Sequence, residues 1–124
     1  MTLQTLLYRQ VHPNFCPNEE LSSQAFFPFP KDDGKLSVYD GDLISAENAY
    51  KHYTDVVGHL SCGVWGVLES EVLAVGLTAK ADPLLNFASH ALIDFDALDD
   101  KACRKLAKLL KAHAVTRGCL HRAP

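Results

Sequence analysis

The sequence lacks any apolar run long enough to cross a bilayer, which excludes a membrane-spanning helix. Residues 1–9, MTLQTLLYR, also lack the charged start and the apolar centre of a secretory signal peptide. We therefore expect a cytoplasmic protein in which Cys16, Cys62, Cys103 and Cys119 are reduced thiols. No two of these cysteines form a Cys-x-x-Cys pair.

Several signatures of catalysis and metal binding are also missing. The chain has no glycine-rich phosphate loop, no His-Glu-x-x-His helix and no Gly-x-Ser-x-Gly elbow. Histidines and cysteines lie close together in a few places, but none repeats the pair-of-pairs spacing of a structural zinc site. The sequence thus predicts no metal site, and it leaves open whether the protein is an enzyme.

Length and composition describe one folded domain. The chain has 124 residues, of which 48% are apolar and 22% are charged. These values supply enough apolar surface for a core and argue against bulk disorder. No repeat, low-complexity tract or linker interrupts the chain, so residues 1–124 form a single predicted domain.

Charge is distributed unevenly along the chain. Residues 1–100 hold five Lys or Arg and all fifteen Asp and Glu, whereas residues 101–124 hold seven Lys or Arg and no acid. Such a split indicates a charged partner. The basic end can equally dock on the acidic body of the same chain.

The basic end is predicted to be a long helix over about residues 100–117, capped by Asp99 and closed by Gly118. Its polar side carries the candidate binding residues Lys101, Arg104, Lys105 and Lys108. Nucleic acid is disfavoured as the ligand, because no aromatic residues alternate with these basic side chains and the acidic body would repel phosphates. A protein partner fits better, with a solvated outer face as the alternative.

A strand, a turn and a helix follow one another in the middle of the chain. Residues 36–39 alternate apolar and polar, as in a half-buried strand, and Asp40 and Asp42 flank a turn glycine. Ser45 is a predicted N-cap for a helix over about residues 45–57. Turns of this kind often carry binding groups, so both aspartates and the serine are candidate binding residues. They can also be turn and cap residues that face water.

Further strands are predicted over about residues 3–11, 60–68 and 89–95. The segment 60–68 is apolar on both faces, which is typical of a central strand. Residues 69–77 fit either a short helix or the return strand of a hairpin, and the poor turn before them favours the helix. Residues 78–87 read as a loop.

These elements predict an α/β or α+β fold, a single layered domain. We expect a mixed sheet of four to five strands with two main helices, at about residues 45–57 and 100–117. Because helices separate several strands, at least one parallel pair is predicted.

Arg9 lies inside the predicted first strand. Burying it requires a carboxylate or phosphate partner, and the alternative is an edge strand with Arg9 in water. In an enzyme or nucleotide-binding domain, Arg9 would hold an anion and Tyr39 would stack or hydrogen-bond. His12 or His90 would then move protons, with Asp40 in the same site.

The layout resembles that of ADP-ribosyltransferase-like domains. These domains carry an Arg or His on the first strand, a Ser or Tyr on a strand that leads into a helix, and a Glu or Gln near a late strand. Arg9 resembles the first of these, and Ser37 or Tyr39 resembles the second. Residues 88–90, Ala-Ser-His, depart from the third because they contain no acid. The resemblance implies NAD as cofactor.

Two functions follow from the sequence. The first is a small cytoplasmic interaction protein that acts through a protein partner, at the basic helix or at the strand–turn–helix edge. The alternative is an ADP-ribosyltransferase-like or other nucleotide-binding enzyme domain, with a site around Arg9 and Tyr39.

Overall fold

A computed structural model describes every residue from Met1 to Pro124. The strands are β1 (Leu6–Val11), β2 (Lys35–Asp40), β3 (Gly63–Leu68), β4 (Thr78–Ala81), β5 (His90–Asp94) and β6 (His121–Arg122). They form one six-stranded sheet in the order β4-β5-β2-β1-β3-β6, and every neighbouring pair is antiparallel. The mixed α and β composition agrees with the predicted class.

The predicted parallel pair and the strand count are wrong. The helical connection between β2 and β3 does leave those strands pointing the same way, because both pair antiparallel with β1. However, β1 lies between them, so they are not neighbours. The extra strands are short: β4 lies in the segment 78–87 that reads as a loop, and its mostly exposed sequence TAKA has no apolar alternation to reveal it.

The positions of β1 and β3 in the sheet also differ from expectation. β3, predicted to be central, pairs with β1 along its whole length but has only the two-residue β6 on its other side. β1 is instead an interior strand, between β2 and β3. The edge-strand interpretation of Arg9 is therefore wrong.

The helices are α1 (Ala46–Lys51), α2 (Glu69–Ala74) and α3 (Asp100–Arg117). α1 continues as a π-helical segment, His52–Val56, so the predicted helix over 45–57 is interrupted in its second half. α2 confirms the helical interpretation of residues 69–77, and α3 has the predicted bounds. Three α-helices and several 3-10 turns thus replace the expected two main helices. No helix is long and apolar enough to cross a membrane.

The sheet has helices on both faces. On one face, α3 contributes Cys103, Ala107, Leu110 and Ala114 to the main core. On the other, Ala49 of α1 packs in a smaller cluster with Tyr8, Tyr39 and Val64. Alternate residues of β1 and β2 therefore face different helices, and this puts Tyr39 under α1.

The prediction of four reduced thiols is wrong for one pair, because Cys16 is joined to Cys62 by a disulfide. The chain after β1 folds back beside the start of β3, where the Cys62 N–H donates to Val11 O at 2.8 Å. Sequence spacing gives no sign of this, since the two cysteines are 46 residues apart. Cys103 and Cys119 are free thiols.

Candidate functional site

The candidate site lies where β1 and β2 separate. These strands pair only at Leu7 with Asp40 and at Tyr8 with Tyr39, whereas β1 pairs with β3 at all six of its residues. From Arg9 onward β1 and β2 diverge, and an open cleft of about 980 Å³ lies beside the separation. Both strands line it, through Arg9 on β1 and Ser37 on β2 among others.

The guanidinium of Arg9 spans the gap between the diverging strands. Its Nε–H donates to Ala25 O at 2.7 Å, and an N–H of Nη1 donates to Ser37 O at 3.0 Å. The predicted anionic partner is thus replaced by two backbone carbonyls. Because a guanidinium has five N–H donors, three are left without a protein acceptor.

Burial lowers the pKa of Arg9, while the nearby Tyr53 and Asp32 act in the opposite direction. Arginine nevertheless stays protonated in proteins. The cleft therefore contains a half-buried cation that the protein does not fully neutralise.

Tyr39 and Phe87 line one side of the cleft, and His52, which is not a lining residue, packs against both rings. The rings of Tyr39 and Phe87 have centroids 4.7 Å apart, and Phe87 and His52 have centroids 4.5 Å apart. The Tyr39 hydroxyl lies 2.7 Å from His52 Nδ1, and His52 Nε2 lies 3.2 Å from Asn86 O. A carbonyl only accepts, so Nε2 of neutral His52 donates to Asn86 and Nδ1 accepts the phenol proton. Burial raises the pKa of Tyr39, which keeps that phenol neutral.

A second polar chain runs from Ser37 and His90, which line the cleft, to Asp82, which does not. His90 Nε2 lies 3.1 Å from Ser37 Oγ. On its other side, His90 Nδ1 lies 3.0 Å from Asp82 Oδ2 and 2.9 Å from Asp82 O. Both Asp82 atoms are acceptors, so Nδ1 carries the proton, and in the neutral ring Nε2 accepts from the Ser37 hydroxyl.

Gln10 also lines the cleft, and its Nε2 is buried without a partner. Its Oε1 lies 2.9 Å from Ser61 Oγ, which is also 3.0 Å from Gly63 O. A hydroxyl has one proton, so it serves one of these acceptors at a time. With the amide reversed, Nε2 donates to Ser61 and Ser61 donates to Gly63 O, while Oε1 takes the buried position that has no protein donor. In either orientation Gln10 is joined to Ser61 and leaves one amide atom unpaired.

Five of the predicted site residues line this cleft, namely Arg9, His12, Ser37, Tyr39 and His90. They come from β1 and the turn after it, from β2 and from β5. His12 has a local role as well, because its Nδ1 accepts from the Asn14 N–H at 3.0 Å and starts a 3-10 turn.

The residues of the turn after β2 do not line the cleft. Asp40 Oδ1 accepts from the Asp42 N–H at 2.9 Å, and Asp42 Oδ2 accepts from the Thr5 hydroxyl at 2.6 Å. Ser45 Oγ accepts from the Asn48 N–H at 3.1 Å and caps α1. These local bonds account for all three residues as turn and cap groups, and their binding role stays a prediction.

The basic residues of α3 lie on another surface. Lys101, Arg104, Lys105 and Lys108 are all exposed. None of them is within ion-pair distance of an acid. The side chains of α3 that form ion pairs with an acid lie near the C-terminus of the helix, where Arg117 and His113 pair with Glu71. The basic face is therefore free rather than docked on the chain's own acids.

Sequence reasoning missed Asp82, His52 and Phe87. Asp82 and His90 lie at the loop end of the β4–β5 hairpin, just beyond the pairing of Ala81 with Ala91. The available signal was Asp82-Pro83 between two short strands, which became informative only once β4 was known. His52 fell within the predicted helix over 45–57, whose apolar stripe gave no reason to single it out.

No family model, curated protein or solved structure matches this chain. No three His, Cys, Asp or Glu side chains come together as a possible metal site. The cleft is therefore interpreted from its own contacts, which offer a cation, an aromatic wall and a Ser–His–Asp chain.

Proposed function

We propose that the cleft between β1 and β2 binds a nucleotide and that the chain is a nucleotide-binding enzyme domain. The observation that carries this proposal is the half-buried guanidinium of Arg9, which keeps three N–H donors free at the cleft wall. A planar fork of donors matches the oxygens of a phosphate, and partial burial strengthens the attraction between the two charges.

The aromatic wall supports a ligand with a flat ring. Tyr39, His52 and Phe87 form one contiguous group of rings, and Phe87 also meets His90 edge-on at a centroid distance of 4.9 Å. Phe87 is the partly exposed member of this group at the cleft, and an exposed aromatic face of this kind stacks on nucleobases. The cleft volume of about 980 Å³ is at the upper end of ordinary ligand sites, which leaves room for a nucleotide.

NAD is the specific ligand that the ADP-ribosyltransferase-like layout implies. In support, the three positions of that layout, Arg9, Ser37 or Tyr39, and His90, all line one cleft. The third position is a histidine where those domains carry an acid. An imidazole moves protons but carries no negative charge, so it would not stabilise the cationic sugar of a transferase transition state. We therefore propose nucleotide binding first and NAD as the nucleotide to test.

Calorimetry and thermal shift with a graded ligand set test this proposal. ADP and NAD are expected to raise Tm and to bind more tightly than adenosine, which lacks the phosphates. Arg9→Lys keeps the positive charge but loses the planar pair of N–H donors that can bind two phosphate oxygens. We expect it to weaken ADP binding about tenfold or more. Arg104→Lys, on the exposed face of α3, is the matched control and leaves binding unchanged. Absence of stabilisation by either nucleotide at millimolar concentration would contradict the proposal.

We keep a second candidate function, an interaction with an acidic protein partner through α3. It is favoured by four exposed basic side chains on α3 that have no ion-pair partner. Two apolar side chains of the same helix, Leu109 and Val115, are also 42% and 50% exposed. Capture from the native lysate at low salt, lost at high salt, is the expected result. Lys101→Glu with Lys105→Glu would abolish it, whereas Lys31→Glu with Lys80→Glu would not. Equal capture by both variants would contradict this candidate.

The cytoplasm remains the proposed location of this interaction. The Cys16–Cys62 disulfide is the observation against it, because reducing compartments disfavour such bonds. A count of reactive thiols in protein prepared without reductant tests whether this disulfide forms.

A further inference from the structure

We propose that Ser37, His90 and Asp82 form a hydrolytic triad, with Ser37 Oγ as nucleophile, and that the substrates are esters or thioesters bearing an anionic group. This inference rests on the proposed function only for the role of Arg9 as anion anchor. The triad itself is argued from separate contacts.

The three side chains form a linear chain of hydrogen bonds. Ser37 Oγ, His90 Nε2, His90 Nδ1 and Asp82 Oδ2 follow one another with gaps of 3.1 Å and 3.0 Å. These are the distances at which a base takes a proton from a hydroxyl and a carboxylate orients the base. The residues come from β2, from β5 and from the end of β4, so the sheet fixes their relative positions.

The tautomer of His90 is the one that the reaction needs. Asp82 provides two acceptors for Nδ1–H, its carboxylate and its own carbonyl, and so leaves the Nε2 lone pair facing Ser37. The His90 side chain is 8% exposed, and Phe87 covers it edge-on. The imidazole therefore has little freedom to rotate away from the serine.

Ser37 is the accessible end of the chain. It is exposed, it lines the cleft, and its hydroxyl has no protein partner other than His90. A serine that only linked the strands would do so equally well when covered. Here the oxygen lone pairs stay open to a molecule in the cleft.

The reaction balances with water as the only co-reactant. Ser37 Oγ forms a bond to the substrate carbonyl carbon while its proton passes to His90 Nε2. The bond from that carbon to the leaving alcohol or thiol breaks, and the leaving group takes the proton from Nε2. Water then attacks the acyl-serine, gives a proton to His90, and releases the carboxylic acid as Ser37 Oγ regains that proton.

Arg9 gives the substrate preference. Its Nη1 donates to the backbone carbonyl of Ser37, so the guanidinium lies against the strand that carries the nucleophile. An anionic group on the substrate would bind there and hold the ester near Oγ. Neutral esters of the same leaving group would react more slowly.

A fluorophosphonate probe tests the nucleophile directly. Ser37 Oγ would displace fluoride from phosphorus, and peptide mass spectrometry should find the adduct on Ser37. Ser37→Ala and His90→Gln are expected to abolish labelling, whereas Ser70→Ala, on α2 and outside the cleft, leaves it unchanged. Absence of labelling in a wild-type protein with a normal Tm would overturn the triad, as would an adduct that persists in Ser37→Ala.

Asp82 is tested as a positioning residue. Asp82→Asn keeps the backbone acceptor, so we expect the labelling rate to fall about tenfold or more rather than to vanish. Long-range ¹H–¹⁵N spectra should show Nδ1–H as the His90 tautomer in the wild type. An unchanged rate in Asp82→Asn, or an Nε2–H tautomer in the wild type, would overturn this assignment.

Ester hydrolysis separates this inference from nucleotide binding. The anionic mono-4-nitrophenyl succinate is expected to be cleaved faster than 4-nitrophenyl acetate, and Arg9→Lys should remove the preference but not the labelling. Binding of ADP without any labelling of Ser37 would contradict the triad and leave the nucleotide proposal standing. Labelling of Ser37 without ADP binding would contradict the nucleotide proposal and leave the triad standing.

Discussion

The Tyr39 hydroxyl donates to His52 Nδ1 across 2.7 Å, and this contact joins β2 to the start of the π-helical segment. His52 in turn donates to Asn86 O, in the turn between β4 and β5. One imidazole thus links β2, the π-helical segment and the turn between β4 and β5. π-helical segments are uncommon and frequently lie at functional sites.

Removal of the phenol oxygen tests this link. Tyr39→Phe leaves His52 Nδ1 without its donor, and we expect the free energy of unfolding to fall by about 0.5–1.5 kcal/mol. Tyr50→Phe is the matched control, because the Tyr50 hydroxyl has no hydrogen bond to the protein. Urea denaturation measures both, and an equal loss in the two variants would show that the Tyr39–His52 bond contributes nothing of its own.

The buried tyrosines predict a loss of stability at alkaline pH. Burial is the largest cause that raises the pKa values of Tyr8, Tyr39 and Tyr53 above 10.0. Their contribution is fully present below pH 10.0, where both states are protonated, and it declines above that pH because only the unfolded state ionises. Urea denaturation at pH 9 and pH 11 measures the decline. Tyr39→Phe should reduce it, and an unchanged decline in that variant would contradict the assignment.

Glu71 predicts a loss of stability in acid. Burial alone would raise the pKa of Glu71, but hydrogen bonds from Arg117 and the Leu68 N–H, together with the charges of Arg117 and His113, lower it below 4.5. Its stabilisation is therefore present above pH 4.5 and lost as the pH falls through the lowered value.

Glu71→Gln is expected to cost about 1–3 kcal/mol at pH 7, since Arg117 loses a charged partner in a partly buried site. The difference from wild type should shrink below pH 4.5. Glu69→Gln, which removes an acid with no ion pair, should change stability little at either pH. A Glu71→Gln cost that stays constant with pH would rule out the charge as its source.

The disulfide predicts a definite thiol count. Unfolded protein prepared without reductant should show two reactive thiols, those of Cys103 and Cys119, and four after reduction. Reduction, or Cys16→Ser with Cys62→Ser, should destabilise the protein by about 2–4 kcal/mol. In the native protein Cys103 should react more slowly than Cys119, because burial raises its pKa, with Asp100 and Asp99 nearby. Four thiols without reductant would contradict the bond.

Local signals in the sequence predicted local structure well. The bounds of α3 follow from its cap at Asp99, its apolar stripe and its terminal glycine, all of which act within a few residues. Ser45 likewise begins α1 where expected. Of the site residues grouped from the sequence, Arg9, His12, Tyr39 and His90 line one cleft, whereas Asp40 does not.

Long-range relationships could not be predicted in the same way. Strand order depends on which surfaces pack together, so nothing near Arg9 indicated that β1 is interior or that its partners would be the carbonyls of Ala25 and Ser37. Asp82 acquires its role only when β4 pairs with β5, and β4 has no apolar pattern of its own.

The sparse pairing between β1 and β2 has a mechanical consequence. Two residue pairs join the half of the sheet that holds β4, β5 and β2 to the half that holds β1, β3 and β6. The Gly41 N–H adds one more backbone bond across this line, to Leu6 O at 2.7 Å. The Arg9 side chain bridges the same line through Ser37 O, so loss of this arginine would also weaken the connection between the two halves.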